Sequence, residues 1–330
     1  RKFRNSKIDT MRKKHFLFAS VLALLCGSST LHAQDFKLTS SGYFKNQGVD
    51  VMAFDDIYPE GHQGGVCIIM NGHRVATNGD IRLEATPGQW QPVPKQLDRK
   101  LGDNSITATL CYPDSSRHLT GFNPMIYPDL HLIYTVNVES KGKNIEVTVD
   151  LDRPIPQEFI GKVGFNLEFF PGSLFGKPWI MDGQSGIFPQ QPNSPLMTTQ
   201  PNYLHTGNYH DGKKSLADMN KLIGKGYSPI VADDIISEPY AKGTKFTSRP
   251  DDPYNKVTIE SLSGDLQLFD GRMNHNNGWF VLRSNIKPGV TKGAVKWIIT
   301  PNVVADWMYQ PVIQTSQIGY HPTQDKEAVI

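Results

Sequence analysis

Short alternations of apolar and polar residues, cut every few positions by turn-forming pairs, constrain this chain more than any other feature. Val66-Cys67-Ile68-Ile69-Met70 is an apolar run, followed by Asn71-Gly72 and a return through His73-Arg74-Val75-Ala76. Asn-Gly between two such runs predicts a hairpin, because both central positions of a type I′ turn require positive φ. Ile81-Arg82-Leu83-Glu84 alternates next. Over Ser105–Tyr112 the side chains of Ile106, Ala108, Leu110 and Tyr112 fall on one face. Strands are predicted at 131–138 and 144–151, joined by the polar tip Glu139–Lys143. Val163–Phe170 points Val163, Phe165, Leu167 and Phe169 inward. Further strands are expected at 256–262 and 265–269, split by Ser263-Gly264, and at 278–283 and 293–300. Each run has the length and period of a strand covered on one face.

Helix has little place in this pattern. Ser215–Leu222 is the best candidate, and 29 Gly and 23 Pro favour turns instead. From Pro171 to about Tyr209 the alternation breaks, which predicts a long irregular excursion of the kind that often carries function. The fold expected over residues 34–301 is therefore all-β, a large antiparallel β-sandwich. Its size is similar to that of the two-sheet supersandwich of galactose-mutarotase-type proteins. That likeness is one of architecture, and fold alone does not give function.

The N-terminal region reads as an export signal. Met11 precedes Arg12-Lys13-Lys14, an apolar run from Phe16 to Leu25, and a small residue at Ala33. A basic, an apolar and a small-residue region in that order make a signal peptide over 11–33, with residues 1–10 upstream and non-native. The apolar run is shorter than the roughly 20 residues a bilayer span needs. Cys26 follows Leu25, where a lipid-bearing cysteine wants a small residue, so cleavage is favoured over a lipid anchor. The expected location is periplasmic or extracellular.

Charge and cysteines narrow the function classes. The formal net charge is +2, and no basic block follows the leader, so nucleic acid has no electrostatic footprint here. Cys67 and Cys111 can pair or stay free; spacing does not decide it. Neither lies in a Cys-x-x-Cys or comparable His pattern, and no metal site is expected. A structural calcium loop stays open, since Asp80, Asp103-Asn104 and Asp270-Gly271 offer oxygen ligands without ordered spacing.

No catalytic constellation stands out. Asp55-Asp56, Asp233-Asp234 and Asp251-Asp252 are adjacent carboxylates of the kind turns also use. A nucleophile elbow is absent. If the sandwich itself turns over a sugar, Glu168 and His210 are the candidate acid–base pair. Carbohydrate-binding candidates are aromatics flanked by hydrogen-bonding residues: Trp90, Trp179 with Asp182, Tyr203, and Trp279. Tryptophan in a β protein also serves as a core plug, so each has a structural alternative.

The C-terminal stretch supplies the resemblance. Gln317-Ile318-Gly319-Tyr320, then Pro322, Lys326 and Ala328-Val329-Ile330, is similar to the opening of the immunoglobulin-like module of glycoside hydrolase family 9 enzymes. That opening usually reads Asn-Gln-Val-Gly-Tyr; here Ser316 stands in the Asn position and Ile318 in the Val position. The resemblance implies a linker at 302–312 and, at 313–330, the truncated first strand of the immunoglobulin-like module. It also implies a downstream catalytic module that hydrolyses β-1,4-glucosidic bonds with inversion. The chain would then be the non-catalytic N-terminal part of an exported cellulase-like enzyme, with a polysaccharide as partner. A stand-alone carbohydrate-binding or adhesion module and a mutarotase-like sugar-active domain remain the alternatives.

Overall fold

In the computed structural model, residues 35–55, 64–84, 87, 94–112, 130–191, 238–273, 278–310, 316 and 318–328 are described. They contain eighteen strands, numbered in chain order and divided between two nine-stranded sheets. The first sheet runs β1 (Lys37–Leu38), β2 (Phe44–Asn46), β3 (Val49–Ala53), β4 (Val66–Met70), β5 (His73–Leu83). It continues through β10 (Val163–Phe169), β17 (Phe280–Asn285), β16 (Leu266–Asp270) and β13 (Ala241–Gly243). The second runs β12 (Gln184–Ile187), β11 (Pro178–Met181), β14 (Lys245–Ser248), β15 (Val257–Ser261), β18 (Val295–Pro301). It ends with β9 (Asn144–Leu151), β8 (Ile133–Lys141), β7 (Ser105–Cys111) and β6 (Lys95–Leu101). Neighbours pair antiparallel throughout, as in the β8–β9 ladder from Tyr134↔Leu151 to Lys141↔Asn144.

The core lies between the sheets. Phe165 of β10 meets the Trp297 indole of β18 edge-on at 4.9 Å, and Phe169 meets Phe246 of β14 at 5.8 Å. Trp297 is wholly buried, and its Nε1–H donates to the Ser284 hydroxyl of β17 at 3.0 Å, which satisfies the one polar atom of the ring. Strict alternation explains the rest of the packing. In β8 and β9, Tyr134, Val136, Val138, Ile145, Val147 and Val149 are buried, and the intervening residues are partly exposed.

The Asn71-Gly72 hairpin forms as expected, with φ of 53° and 82° at the two positions. Three features differ from the sequence reading. The stretch after Pro171 is not irregular throughout: Pro178–Ile187 is a β11–β12 hairpin whose tip is Asp182-Gly183, at φ 45° and 85°. Asp-Gly is a hairpin signal in its own right; the surrounding Gly and Pro masked it. Second, the strands read at 256–262 and 265–269, split by Ser263-Gly264, lie in different sheets. β15 belongs to the second sheet and β16 to the first, so the chain changes sheet at this corner. Third, β1–β3, β6, β13 and β14 were not anticipated; most are short or carry few apolar residues. The helical candidate at 215–222 lies outside the described residues.

Cys67 and Cys111 are not joined by a disulfide; they lie on β4 and β7 of opposite sheets. Residues 302–310 follow β18 back over the sandwich's own turns. The Gln47 side chain donates to the Trp307 carbonyl, and Trp307 and Tyr309 pack edge-to-face at 4.2 Å. Among the described residues of 313–330 there is no strand; 318–328 are mostly exposed, and turns form at Gly319 and around Pro322.

Candidate functional site

The middle of the first sheet is buried on both faces, and the face turned away from the second sheet is polar. Along β10, Phe165, Leu167 and Phe169 point into the core, so Gly164, Asn166 and Glu168 point the other way. Their register partners on β17 are Asn285, Arg283 and Val281. A period of two thus gathers one charged cluster from strands β5, β10 and β17.

Its centre is a buried ion pair. Arg283 Nη1 donates to Glu84 Oε1 at 3.2 Å and to Asn166 Oδ1 at 3.1 Å, and Nη2 donates to the Glu84 carbonyl at 3.0 Å. Asn166 Nδ2 also donates to Glu84 Oε1, at 2.6 Å, and Arg283 Nε donates to Asn285 Oδ1 at 2.7 Å. The guanidinium fits because residue 164 is glycine: a Cβ there would stand 2.7 Å from Arg283 Nε. Asn78 Nδ2 donates to Glu168 Oε2 at 2.7 Å, and the Tyr134 hydroxyl reaches across from the second sheet to donate to Asp80 Oδ1 at 3.0 Å.

Burial dominates the electrostatics. It pushes the Glu84 carboxyl up to about 7, against the pull of Arg283 and Arg82. It pushes Asp80 up to about 6, against Arg82 and the Ile81 N–H. Burial lowers Arg283, whereas the carboxylates around Arg82, Glu168 foremost, outweigh burial and raise it. Desolvation penalises every charge here, and except at Arg82 the opposite charges return only part of that cost. Two polar atoms of the cluster, Arg82 Nε and Asn78 Oδ1, are buried without a hydrogen-bond partner.

The candidates read from sequence scatter. Glu168 lies within the cluster, 4 % exposed. Trp279 precedes β17 on the same face, with its indole against Phe170 at 4.0 Å and edge-on. Trp179 is 7 % exposed and packed over Gly186, so it presents no open face for a sugar ring. Asp182 locks a turn: its carboxylate accepts from Thr244 N–H, Thr244 Oγ1–H and Lys245 N–H, which hold it below the usual carboxylate range. Trp90, Tyr203 and His210 lie outside the described residues. Of the calcium candidates, Asp80 sits in the cluster, and Asp270 is held by a two-point pair with Arg272 at 2.8 Å and by Tyr240. No group of three or more His, Cys, Asp or Glu among the described residues could hold a metal ion. No helix among them is long and apolar enough to cross a membrane.

Sequence reading missed Glu84, Arg82 and Arg283. Their signal was present but weak: charged residues at outward positions of strands that are themselves central to a sheet.

Comparison with known proteins gives little to set beside this geometry. No family model and no curated protein matches the chain. Among solved structures, a Salmonella typhimurium protein assigned as a mutarotase (YeaD) aligns over 86 % of this chain and 98 % of its own, at 7 % identity and a TM-score of 0.30.

Proposed function

We propose that the sandwich is a non-catalytic accessory module of an exported glycoside hydrolase acting on β-glucan-type polysaccharide. The observation that carries this reading is the state of the carboxyl groups in the cluster. Glu84 is held by Asn166 and Arg283, Glu168 by Asn78, and Asp80 by Tyr134 and its neighbouring N–H, all at most 5 % exposed. A general acid or base must reach a substrate proton within about 3 Å or through one water. Carboxyls tied to one another's neighbours brace a sheet instead. The likeness of 313–330 to the start of an immunoglobulin-like module supports a place ahead of hydrolase modules.

Anomer interconversion of glucose and galactose by the purified chain tests the reading. The expected rate is that of buffer alone. A rate well above buffer that Glu168→Gln abolishes, with the fold retained by circular dichroism, would replace the accessory role with a mutarotase-like one.

A further inference from the structure

A second site candidate lies on the opposite side of the molecule, on the solvent face of the second sheet. There β14, β15 and β18 present a row of threonines in register: Thr247 opposite Thr258, and Thr258 opposite Thr300. The row spans about 10 Å across the three strands. Thr247 and Thr258 share a hydroxyl–hydroxyl bond of 3.1 Å, and Thr300 donates to Asn144 Oδ1 at 2.9 Å. An open trough of about 460 Å³ runs over this row, flanked by Lys143, Lys245 and Lys256. Lys143, from the β8–β9 turn, and Lys256, just ahead of β15, stand toward one end, and Lys245 stands beyond the row on the other side.

The charges do not cancel. Glu260 is the one carboxylate lining the trough, and Lys245 engages it at 3.6 Å. No described carboxylate forms an ion pair with Lys143 or Lys256. The lining carries no aromatic ring, so a neutral pyranose has nothing flat to stack on. Hydroxyls in a row, with Lys143 and Lys256 toward one end and Lys245 shared with Glu260 on the other side, suit a chain that offers its own hydroxyls and, at intervals, anions. We infer that this trough binds an acidic polysaccharide, one whose sugars carry carboxylate or sulfate groups. The inference is independent of the accessory-module reading, because it concerns a different face and a different ligand charge.

Affinity electrophoresis and calorimetry of the whole chain test it, with polygalacturonate, dextran sulfate and neutral hydroxyethylcellulose as probes. Binding is expected to one or both anionic polymers and not to the neutral one, and it should weaken steeply as salt rises. The tighter of the two anionic probes identifies the anion. The double variant Lys143→Ala/Lys256→Ala should lose at least tenfold in affinity with an unchanged circular dichroism spectrum. The control Lys100→Ala/Lys292→Ala, which removes lysines already paired to Asp98 and Asp150, should lose little. Undiminished binding by the first variant, equal loss in the control, or no binding to either anionic polymer overturns the inference.

Discussion

Glu84 and Arg283 are 199 residues apart in sequence, yet their side chains meet at 3.2 Å with about 1 % of each exposed. The pair ties the end of β5 to β17 across β10, on the face of the first sheet that the core does not hold. Removing one partner of a buried pair leaves the other charge uncompensated, which costs about 3–5 kcal/mol. Arg283→Ala is expected to lose stability on that scale in urea unfolding. Glu84→Gln combined with Arg283→Met should lose much less than the sum of the two single changes. Simple additivity would show that the two residues are not coupled.

The same carboxyls set a pH dependence. Glu84 titrates near 7 in the folded chain against an ordinary 4.5, and Asp80 near 6 against 3.8. Between those values the folded chain holds protons that the unfolded chain has released. Their contribution to stability is therefore complete below about pH 4 and is lost as pH climbs through 6 and 7. Unfolding midpoints measured from pH 4 to pH 8 should show this as a difference from the variants. Relative to the native chain, Glu84→Gln should flatten the upper part of the decline and Asp80→Asn the lower part. Parallel curves for all three proteins would mean that neither group is perturbed.

What the sequence made legible follows from periodicity. Long alternating runs such as Ile106–Tyr112 and Asn144–Leu151 announced their strands and faces, because one side of each meets the core and the other meets solvent. β5 and β10 were found as strands but not understood as a site. β10 is buried throughout and β5 from Val75 onward, and on such strands polar residues facing outward look like ordinary surface residues. Glu84 and Arg283 become partners only when strand order is known, and pairing across 199 residues leaves no local trace. Trp179 is packed into the sandwich rather than open to solvent, for a related reason. Asp182, the flanking residue that suggested a sugar platform, belongs to the hairpin turn beside it.

Asp182 provides a test of that turn. It holds φ at 45°, and its carboxylate fastens the backbone of Thr244 and Lys245 to the β11–β12 tip. Asp182→Ala would remove three hydrogen bonds to an ionised group and leave a β-carbon in the left-handed region. A loss of about 2 kcal/mol is expected, read as a lower thermal midpoint. Asp182→Asn should recover part of it, since Asn tolerates positive φ and keeps one acceptor. Equal losses for Ala and Asn would place the effect on the carboxylate charge alone.

The segment after β18 gives the last prediction. Trp307 packs over Gly48, which sits at φ 66° in the β2–β3 turn, and a Cβ on residue 48 would fall 2.6 Å from the indole Cε3. Asn302 is anchored as well, donating from Nδ2 to the Pro253 carbonyl at 2.7 Å. Gly48→Ala therefore strains the turn and displaces the ring. Loss of a dock worth about 1.4 kcal/mol would populate the released segment about tenfold more. Chymotrypsin, which cuts after Trp307, Met308 and Tyr309, should then cleave there about tenfold faster, and tryptophan emission should shift to the red. Adding Gly48→Ala to Trp307→Ala should cost only the backbone strain, because the clashing ring is already gone. If Gly48→Ala is cut no faster than the native chain and its emission is unmoved, Trp307 is not what holds 302–310 against the sandwich.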